Sequence, residues 1–225
     1  MLTAEDHEFF RTQGYLVIPA VPLENVARVK AETWSFLAKH MGVLQSDPET
    51  WSRHSGMLLM NQSQGEWNNR QHSRVYGAFA ELLGRRDLWC SFDMMNVQPP
   101  LADMPGAAEG GAGGDPLSLH WDLSDEVLRG EKDQGQLLLQ GEILIEDSLT
   151  AGSGGYTTVP GWVRQHAQWV AALPAGGPIE RPQLRWQAEE EGEGPCGQGR
   201  WVWPEAERLG LEVVEIRGRA GDLLI

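Results

Sequence analysis

The sequence predicts an α+β fold that is mainly β, with an antiparallel β core flanked by helices near the amino terminus. Helical spacing of apolar residues dominates the first 84 residues. After residue 136, most periodic segments are short β-branched runs separated by glycine and proline turns. Strands and helices do not alternate as they do in βαβ folds, so we expect a sandwich or a jelly roll.

The first predicted element is a helix over residues 3–13, TAEDHEFFRTQ. Thr3 suits the N-cap, because its hydroxyl can accept a hydrogen bond from a free backbone N–H of the first turn. Asp6 stands at the capping-box position three residues later, and Gly14 ends the pattern. Both ends of this helix are therefore predicted from residues inside it or next to it.

A short buried strand follows in YLVIPAV, residues 15–21. Pro22 then precedes a second helix, LENVARVKAETWSFLAKHMG, whose apolar residues recur at helical spacing up to Gly42. Residues 45–74 are polar and irregular, and we interpret them as a long loop that covers a site.

RVYGAFAELLG, residues 74–84, predicts a third helix that ends at Gly84. LWCSFDMMNVQ, residues 88–98, predicts a strand that Pro99-Pro100 stops. Residues 101–116 are rich in glycine, alanine and proline, which is typical of a flexible insertion.

Strand-like runs dominate the remaining chain, with one further helix and one acidic surface loop predicted among them. No internal repeat is present, so we treat residues 1–225 as a single domain. The elements are a long strand with a bend at Gly141 (QLLLQGEILIEDS, 136–148), a strand (YTTV, 156–159), a helix (WVRQHAQWVAAL, 162–173), the acidic loop (187–200) and two strands (EVVEI, 212–216, and DLLI, 222–225).

Composition excludes several classes of protein. The formal net charge is −14 and Lys and Arg form no cluster, which excludes a nucleic-acid-binding surface. The two cysteines, Cys90 and Cys196, belong to no CxxC motif, which excludes zinc fingers and disulfide scaffolds. No signal peptide and no apolar run of about 20 residues is visible, so we expect a cytoplasmic protein without a membrane partner. The sequence carries no signal for an oligomeric state.

The segment LSLHWDLSDEV contains a His and an Asp two positions apart. In an extended chain, His120 and Asp122 share one face and Trp121 points the other way. One imidazole and one carboxylate are two thirds of the facial triad that holds non-haem Fe(II). An H-x-D pair is also common as a simple hydrogen-bonded pair, so the spacing leaves both interpretations open.

The order of segments resembles the phytanoyl-CoA dioxygenase family of Fe(II)/2-oxoglutarate-dependent oxygenases. The resemblance rests on GYLVIPAVPLENVARVK, VYGAFAELLG, HWD, LQGEILIEDSLTAGSGGYTTVPGWVRQH and the final RAGDLLI, in that order. It implies a double-stranded β-helix, a cupin-like jelly roll, behind the amino-terminal helices. It also implies that His120 and Asp122 bind Fe(II), that 2-oxoglutarate is the cosubstrate, and that a small-molecule or acyl substrate is hydroxylated.

The resemblance assigns further residues to 2-oxoglutarate. Asn96 and Gln98 match the strand where the family often has a polar side chain near the cosubstrate, and Arg164 is a possible carboxylate partner. The alternative is that all three are solvated surface residues.

The family's third ligand, a His, follows its GDLLI-like strand, and an Arg for 2-oxoglutarate comes about ten residues later. Because the chain ends at Ile225, we expect a truncated domain that lacks its last strands and binds Fe(II) weakly or not at all. The remaining histidines are poorer replacements: His7, His40, His54, His72 and His166.

Three functions compete at this point. The first is an Fe(II)/2-oxoglutarate dioxygenase, and the second is a truncated, catalytically inactive jelly-roll protein that acts in binding or as a scaffold. The third, a metal-dependent cupin isomerase or hydrolase, requires more His ligands than the strand region offers.

Overall fold

The structure is a computed structural model, and it describes most of the chain in nine stretches. The described residues are 2–58, 62–92, 94–99, 119–133, 139–150, 153, 155–173, 178–188 and 199–225. The predicted insertion, residues 101–116, lies outside them.

Helices and short strands alternate irregularly along the described residues. The helices are α1 Ala4–Gln13, α2 Leu23–Met41, α3 Gln64–Arg70, α4 Ser73–Leu83, α5 Asp125–Leu128, α6 Trp162–Ala172 and α7 Pro204–Arg208, with a 3₁₀ helix at Pro48–Arg53. The strands are β1 Val17–Pro19, β2 Gly56–Leu58, β3 Met95–Val97, β4 Glu142–Ile143, β5 Thr157–Thr158, β6 Arg185–Ala188, β7 Gly199–Val202, β8 Val214–Glu215 and β9 Asp222–Leu224.

The predicted ends of α1 are confirmed. The Thr3 hydroxyl accepts a hydrogen bond from the Asp6 backbone N–H at 3.1 Å, and the Thr3 N–H donates to the Asp6 carboxylate at 2.8 Å. Gly14 adopts the left-handed conformation with φ 84°, and its N–H donates to the Phe10 carbonyl. The helix therefore begins and ends where its own capping residues satisfy the free backbone groups.

The helices α2, α4 and α6 also match their sequence predictions. Gly42 and Gly84 end α2 and α4 in the left-handed conformation, at φ 66° and 63°. The face of α2 that is buried follows the helical repeat, with Val26, Val29, Thr33 and Leu37 inside.

The prediction of an irregular loop over residues 45–74 is wrong. The 3₁₀ helix, β2 and α3 all lie in this segment. A second capping box starts α3, because the Ser63 hydroxyl accepts from the Glu66 N–H at 3.1 Å and the Glu66 carboxylate accepts from the Ser63 N–H at 2.7 Å. The S-x-x-E spacing was readable in the sequence, but the polar composition of the segment obscured it.

Every strand pairing in the described residues is antiparallel. The largest sheet has three strands in the order β1-β9-β4, so β9 is central, and Leu223 faces Ile18 on one side and Ile143 on the other. The remaining pairs are β2 with β3, β5 with β8, and β6 with β7. These sheets are small and none closes on itself within the described residues, so the double-stranded β-helix stays a prediction.

Two predicted strands are shorter than expected. Among the described residues of 88–98, which leave out residue 93, only β3 is a strand, and Trp89 is 94% exposed. Of residues 136–148, only β4 is a strand, and residues 136–138 lie outside the described part. Beyond β4 the pairing continues only in part: Leu144 N–H donates to Asp222 O at 2.9 Å, and after bends at residues 145–146 an isolated antiparallel bridge joins Ser148 and Gly218.

The predicted acidic loop, residues 187–200, begins and ends in paired strands. Residues 187–188 belong to β6 and residues 199–200 to β7, and these strands pair antiparallel. The intervening residues 189–198 lie outside the described part. The β6–β7 pairing was not predicted, because its two strands flank a long polar stretch.

The main core lies between the three-stranded sheet and the helices α2 and α4. Apolar side chains that are distant in sequence meet there: Ala20, Val21, Val26, Val75, Ala78, Leu223 and Ile225. Burial of this surface is the main favourable term that joins the helical end of the chain to β9. Among the described helices, none combines the length and apolar character needed to cross a bilayer.

Candidate metal site

The His120–Asp122 pair forms the centre of the candidate site. His120 Nε2 lies 3.3 Å from Asp122 Oδ1, and each side chain is about half exposed. No strand includes residues 119–124, yet Trp121 packs away from the pair, as strand alternation predicts. The two potential ligands therefore share one face without a ladder of backbone hydrogen bonds.

Trp121, between the two potential ligands, packs in a cluster of tryptophan side chains. Trp121 stacks on Trp169 with ring centroids 5.1 Å apart and meets Trp203 edge-on at 6.1 Å. Trp162 contacts both Trp169 and Trp203, at 5.3 and 4.5 Å. Aromatic pairs of this kind contribute about 0.5–1.5 kcal/mol each beyond burial. The cluster thus anchors residues 120–122 to α6 and to the start of α7.

A second contact orients the Asp122 carboxylate. Gln140 Nε2 donates to Asp122 Oδ2 at 3.1 Å, which leaves Oδ1 facing His120. Gln140 lies two residues before β4, and β4 pairs with the central strand β9. The position of Asp122 is therefore tied to the largest sheet through one side-chain hydrogen bond.

The donor geometry fits two neighbouring ligands of one metal ion. Two donors bound cis to an octahedral metal, each about 2.1 Å from it, lie about 3 Å apart. The Nε2–Oδ1 separation of 3.3 Å is close to that value, and an imidazole and a carboxylate suit Fe(II). In the described residues no group of three or more His, Cys, Asp or Glu side chains has ligand spacing. In the described part of the chain, His120 and Asp122 therefore form a pair without a third such side chain beside them.

Two further titratable residues, Glu142 and Tyr156, have shifted pKa values. Burial raises the pKa of Glu142, on β4. Burial, followed by the negative charges of Glu142 and Asp122, raises the pKa of Tyr156. Tyr156 itself is 52% exposed.

The residues predicted to bind 2-oxoglutarate lie on other elements. Asn96 is on β3, and its side-chain oxygen accepts from Gln98 Nε2 at 3.3 Å. The Gln98 oxygen in turn accepts from the Ser55 hydroxyl at 2.6 Å. Arg164 is exposed on the first turn of α6. Their assignment to the cosubstrate stays a prediction.

The other histidines make contacts of their own in the described residues. His7 Nε2 lies 3.9 Å from the Glu81 carboxylate, and His54 Nε2 lies 3.3 Å from the Gly56 carbonyl oxygen. His72 caps α4 through Nδ1, and the His40 ring packs on Phe36. His166 lies beside Trp169, and burial lowers its pKa.

Comparisons with known proteins do not identify a family for this chain. No protein-family model, no curated protein and no solved structure matches the chain.

Proposed function

We propose that the protein is an Fe(II)/2-oxoglutarate-dependent dioxygenase-like protein whose iron site includes His120 and Asp122. The observation that carries this proposal is the 3.3 Å separation of His120 Nε2 and Asp122 Oδ1 on one face of the chain. The opposite packing of Trp121 supports it, because the pair is held in place by a hydrophobic anchor. The double-stranded β-helix, a small-molecule or acyl substrate and a cytoplasmic location belong to the same proposal.

In this proposal, separate residues would bind the metal, orient its ligand and bind the cosubstrate. Bound iron and 2-oxoglutarate would supply the oxidising chemistry for hydroxylation of a substrate carbon. His120 and Asp122 would hold the metal, and Gln140 would keep one Asp122 oxygen turned away so that the other faces it. Asn96, Gln98 and Arg164 are the proposed contacts of the 2-oxoglutarate carboxylates.

Anaerobic titration with Fe(II) tests the metal site. We expect weak, saturable binding near one ion per chain, because no third ligand stands beside the proposed pair in the described residues. His120→Ala and Asp122→Ala should each abolish saturable binding. His7→Ala is the matched control, since His7 also lies beside a carboxylate, at 3.9 Å. Equal affinity of Asp122→Ala and the unchanged protein would exclude Asp122 as a ligand.

Turnover of 2-oxoglutarate tests the chemistry. Succinate formation that depends on oxygen and Fe(II) should be lost in Asp122→Ala. Arg164→Ala should raise the KM for 2-oxoglutarate more than it lowers kcat, because a carboxylate contact contributes to binding in every state. Succinate formation that persists in Asp122→Ala would contradict the proposed site.

One observation favours a second candidate, a jelly-roll protein that acts in binding or as a scaffold without catalysis. The described residues offer two metal ligands, whereas the facial triad needs three. In this case His120 and Asp122 are a structural pair that fixes the segment next to Trp121. Absence of saturable Fe(II) binding by the unchanged protein would select this candidate.

A further inference from the structure

An open groove lies between β1 and β8, and no residue of the candidate metal site lines it. Its volume is about 500 Å³, within the range of about 300–1,000 Å³ that is usual for ligand sites. Phe9 and residues 15–17 form one wall, and residues 214–217 form the other. The walls converge at Gly218, where a Cβ would lie 3.5 Å from Val17 Cγ1. Two segments that are far apart in sequence therefore enclose one space.

The first wall contains the open edge of β1. Leu16 and Ile225 exchange two backbone hydrogen bonds, with N–H to O distances of 2.8 and 2.9 Å. In an antiparallel ladder the bonding direction alternates, so the next residue, Val17, turns its N–H and C=O away from β9. Among the described strands, β9 is the one neighbour of β1. The outward backbone groups of Val17 can therefore bond to a further strand.

The second wall contains the open edge of β8 and of the residues that follow it. Ile216 N–H donates to Tyr156 O at 2.7 Å, and Gly218 N–H donates to Ser148 O at 3.0 Å, both on the side of β8 that faces β5. By the same alternation Arg217, between these two donors, turns its N–H and C=O to the other side. The Arg217 backbone makes no hydrogen bond within the described residues, so this edge is open as well.

The groove also contains a charged group that has no partner in the described part of the chain. The Arg217 guanidinium is exposed and forms no hydrogen bond or ion pair there. The Glu215 carboxylate, by contrast, already accepts from the Gly155 N–H at 3.0 Å. Phe9 and Tyr15 add ring surface, with centroids 5.2 Å apart. Open strand edges, a guanidinium and apolar rings together suit an extended acidic peptide.

We propose that this groove binds an extended segment of a partner protein, with alternating apolar and acidic residues, as a strand added to the open edge of β8. The peptide backbone bonds to Arg217, one of its carboxylates pairs with the Arg217 guanidinium, and an apolar side chain lies against Phe9 and Tyr15. In strand addition the backbone bonds supply affinity and the side-chain contacts supply specificity. The inference is independent of the proposed function, because no proposed metal ligand takes part in it.

Fluorescence anisotropy of a dye-labelled peptide measures binding to the full chain. The probe is the amidated pentapeptide Val-Glu-Val-Glu-Val, and matched peptides carry Gln or Lys in place of both glutamates. We expect the glutamate peptide to bind about three- to tenfold more tightly than the Gln peptide, and the Lys peptide to bind most weakly. Equal binding of the three peptides would overturn the proposal.

Backbone methylation of the probe tests strand addition itself. One peptide is N-methylated at both glutamates and another at the three valines, and one of these two sets of N–H groups must face β8. The peptide that is methylated on the facing set should lose about tenfold in affinity, because its backbone donors are gone. Full binding by both methylated peptides would contradict strand addition.

Substitution of Arg217 tests the charge contact. Arg217→Gln should weaken binding of the glutamate peptide about three- to tenfold and leave binding of the Gln peptide unchanged. Arg219→Gln is the matched control, because Arg219 is also exposed and lies two residues further along, outside the walls of the groove. It should bind the glutamate peptide as the unchanged protein does. Equal affinities of the two variants for this peptide would overturn the proposal.

Two further measurements identify other occupants of the groove. Sedimentation equilibrium that shows a dimer, dissociated in Arg217→Gln but not in Arg219→Gln, would assign the groove to a second copy of the chain. Displacement of the labelled probe by N-acetylglutamate amide as effectively as by the unlabelled pentapeptide would assign it to a small anion. Either result would overturn the proposal, whereas displacement by the pentapeptide alone from a monomer supports it.

Discussion

The helical region, residues 2–83, and the site region, residues 119–225, depend on different kinds of interaction. In the helical region α1 is bounded by residues within a few positions of its ends, such as Thr3 and Gly14. In the site region the strands are two to four residues long, and β9 pairs with β1 from the opposite end of the chain, Leu224 facing Val17. The comparison shows that the helices depend on local capping and the site on long-range packing.

The largest expected effect tests the long-range packing around β9. Leu223 is 1% exposed at the centre of the three-stranded sheet, and its replacement by alanine leaves a cavity in the main core. Leu223→Ala should lower the free energy of unfolding by about 2–5 kcal/mol. Leu23→Ala is the control, because Leu23 is 68% exposed and should change stability by less than about 0.5 kcal/mol. Denaturant unfolding measures both, and similar losses for the two variants would contradict the central role of β9.

The next prediction concerns the contact between α2 and α3. A Cβ at Gly65 would lie 2.7 Å from Glu32 Oε2 and 2.9 Å from Val29 Cγ2, so the neighbouring α2 side chains or the helix itself must shift to admit it. We expect Gly65→Ala to destabilise the protein by about 1–3 kcal/mol. Gly77, inside α4, has open space around the same position, so Gly77→Ala should stabilise by about 0.5–1 kcal/mol. A stabilising Gly65→Ala would mean that helix propensity rather than close packing dominates at Gly65.

A smaller effect tests local capping. Ser63→Ala removes the side-chain acceptor of the α3 capping box, and stability should fall by about 1 kcal/mol. Thr3→Ala removes the equivalent group of α1, where the cap is exposed, so we expect a smaller loss. Circular dichroism during urea unfolding measures both changes. A Thr3→Ala loss that exceeds the Ser63→Ala loss would mean that burial does not strengthen these caps.

The smallest effect is a pH dependence at Glu142. Because burial raises the pKa of Glu142, the folded protein binds a proton there more tightly than the unfolded chain does. Its contribution favours folding below the unfolded pKa and is lost as the pH rises through the folded pKa. Glu142→Gln should therefore be more stable than the unchanged protein at neutral pH, and this gain should disappear in acid. Unfolding curves at pH 7 and pH 3.5 test the sign, and a gain that is larger in acid would contradict it.

Much of the helical region was predictable, and its one failure is informative. Both ends of α1 and the carboxyl ends of α2 and α4 follow from Thr3, Gly14, Gly42 and Gly84, whose effects are local. The helix α3 was missed because its buried face contains Gly65, Glu66 and Asn69, so it shows no apolar stripe. Its burial comes from close approach to α2, which no periodicity of the segment itself indicates.

The candidate site was predictable only in part. The shared face of His120 and Asp122 follows from their spacing, and the structure places their side chains 3.3 Å apart. Gln140, Glu142 and Tyr156 carried no motif, and their association with Asp122 depends on where β4 and β5 pack. The predicted contacts of 2-oxoglutarate, Asn96, Gln98 and Arg164, lie on elements whose relation to the metal ligands spacing does not determine.

The sequence by itself determined the ends of α1, the carboxyl ends of α2 and α4, the antiparallel character expected of the strands and the two-residue alternation that turns His120 and Asp122 to one side. The tertiary structure alone decided that β9 is the central strand, that a tryptophan cluster anchors Trp121, and that the Gln140 amide donates to Asp122. The physical reason is the separation along the chain over which each kind of interaction acts. Caps and side-chain alternation act over two to four residues. Sheet register, aromatic packing and desolvation instead join groups far apart in sequence, such as Gln140 and Asp122, 18 positions apart.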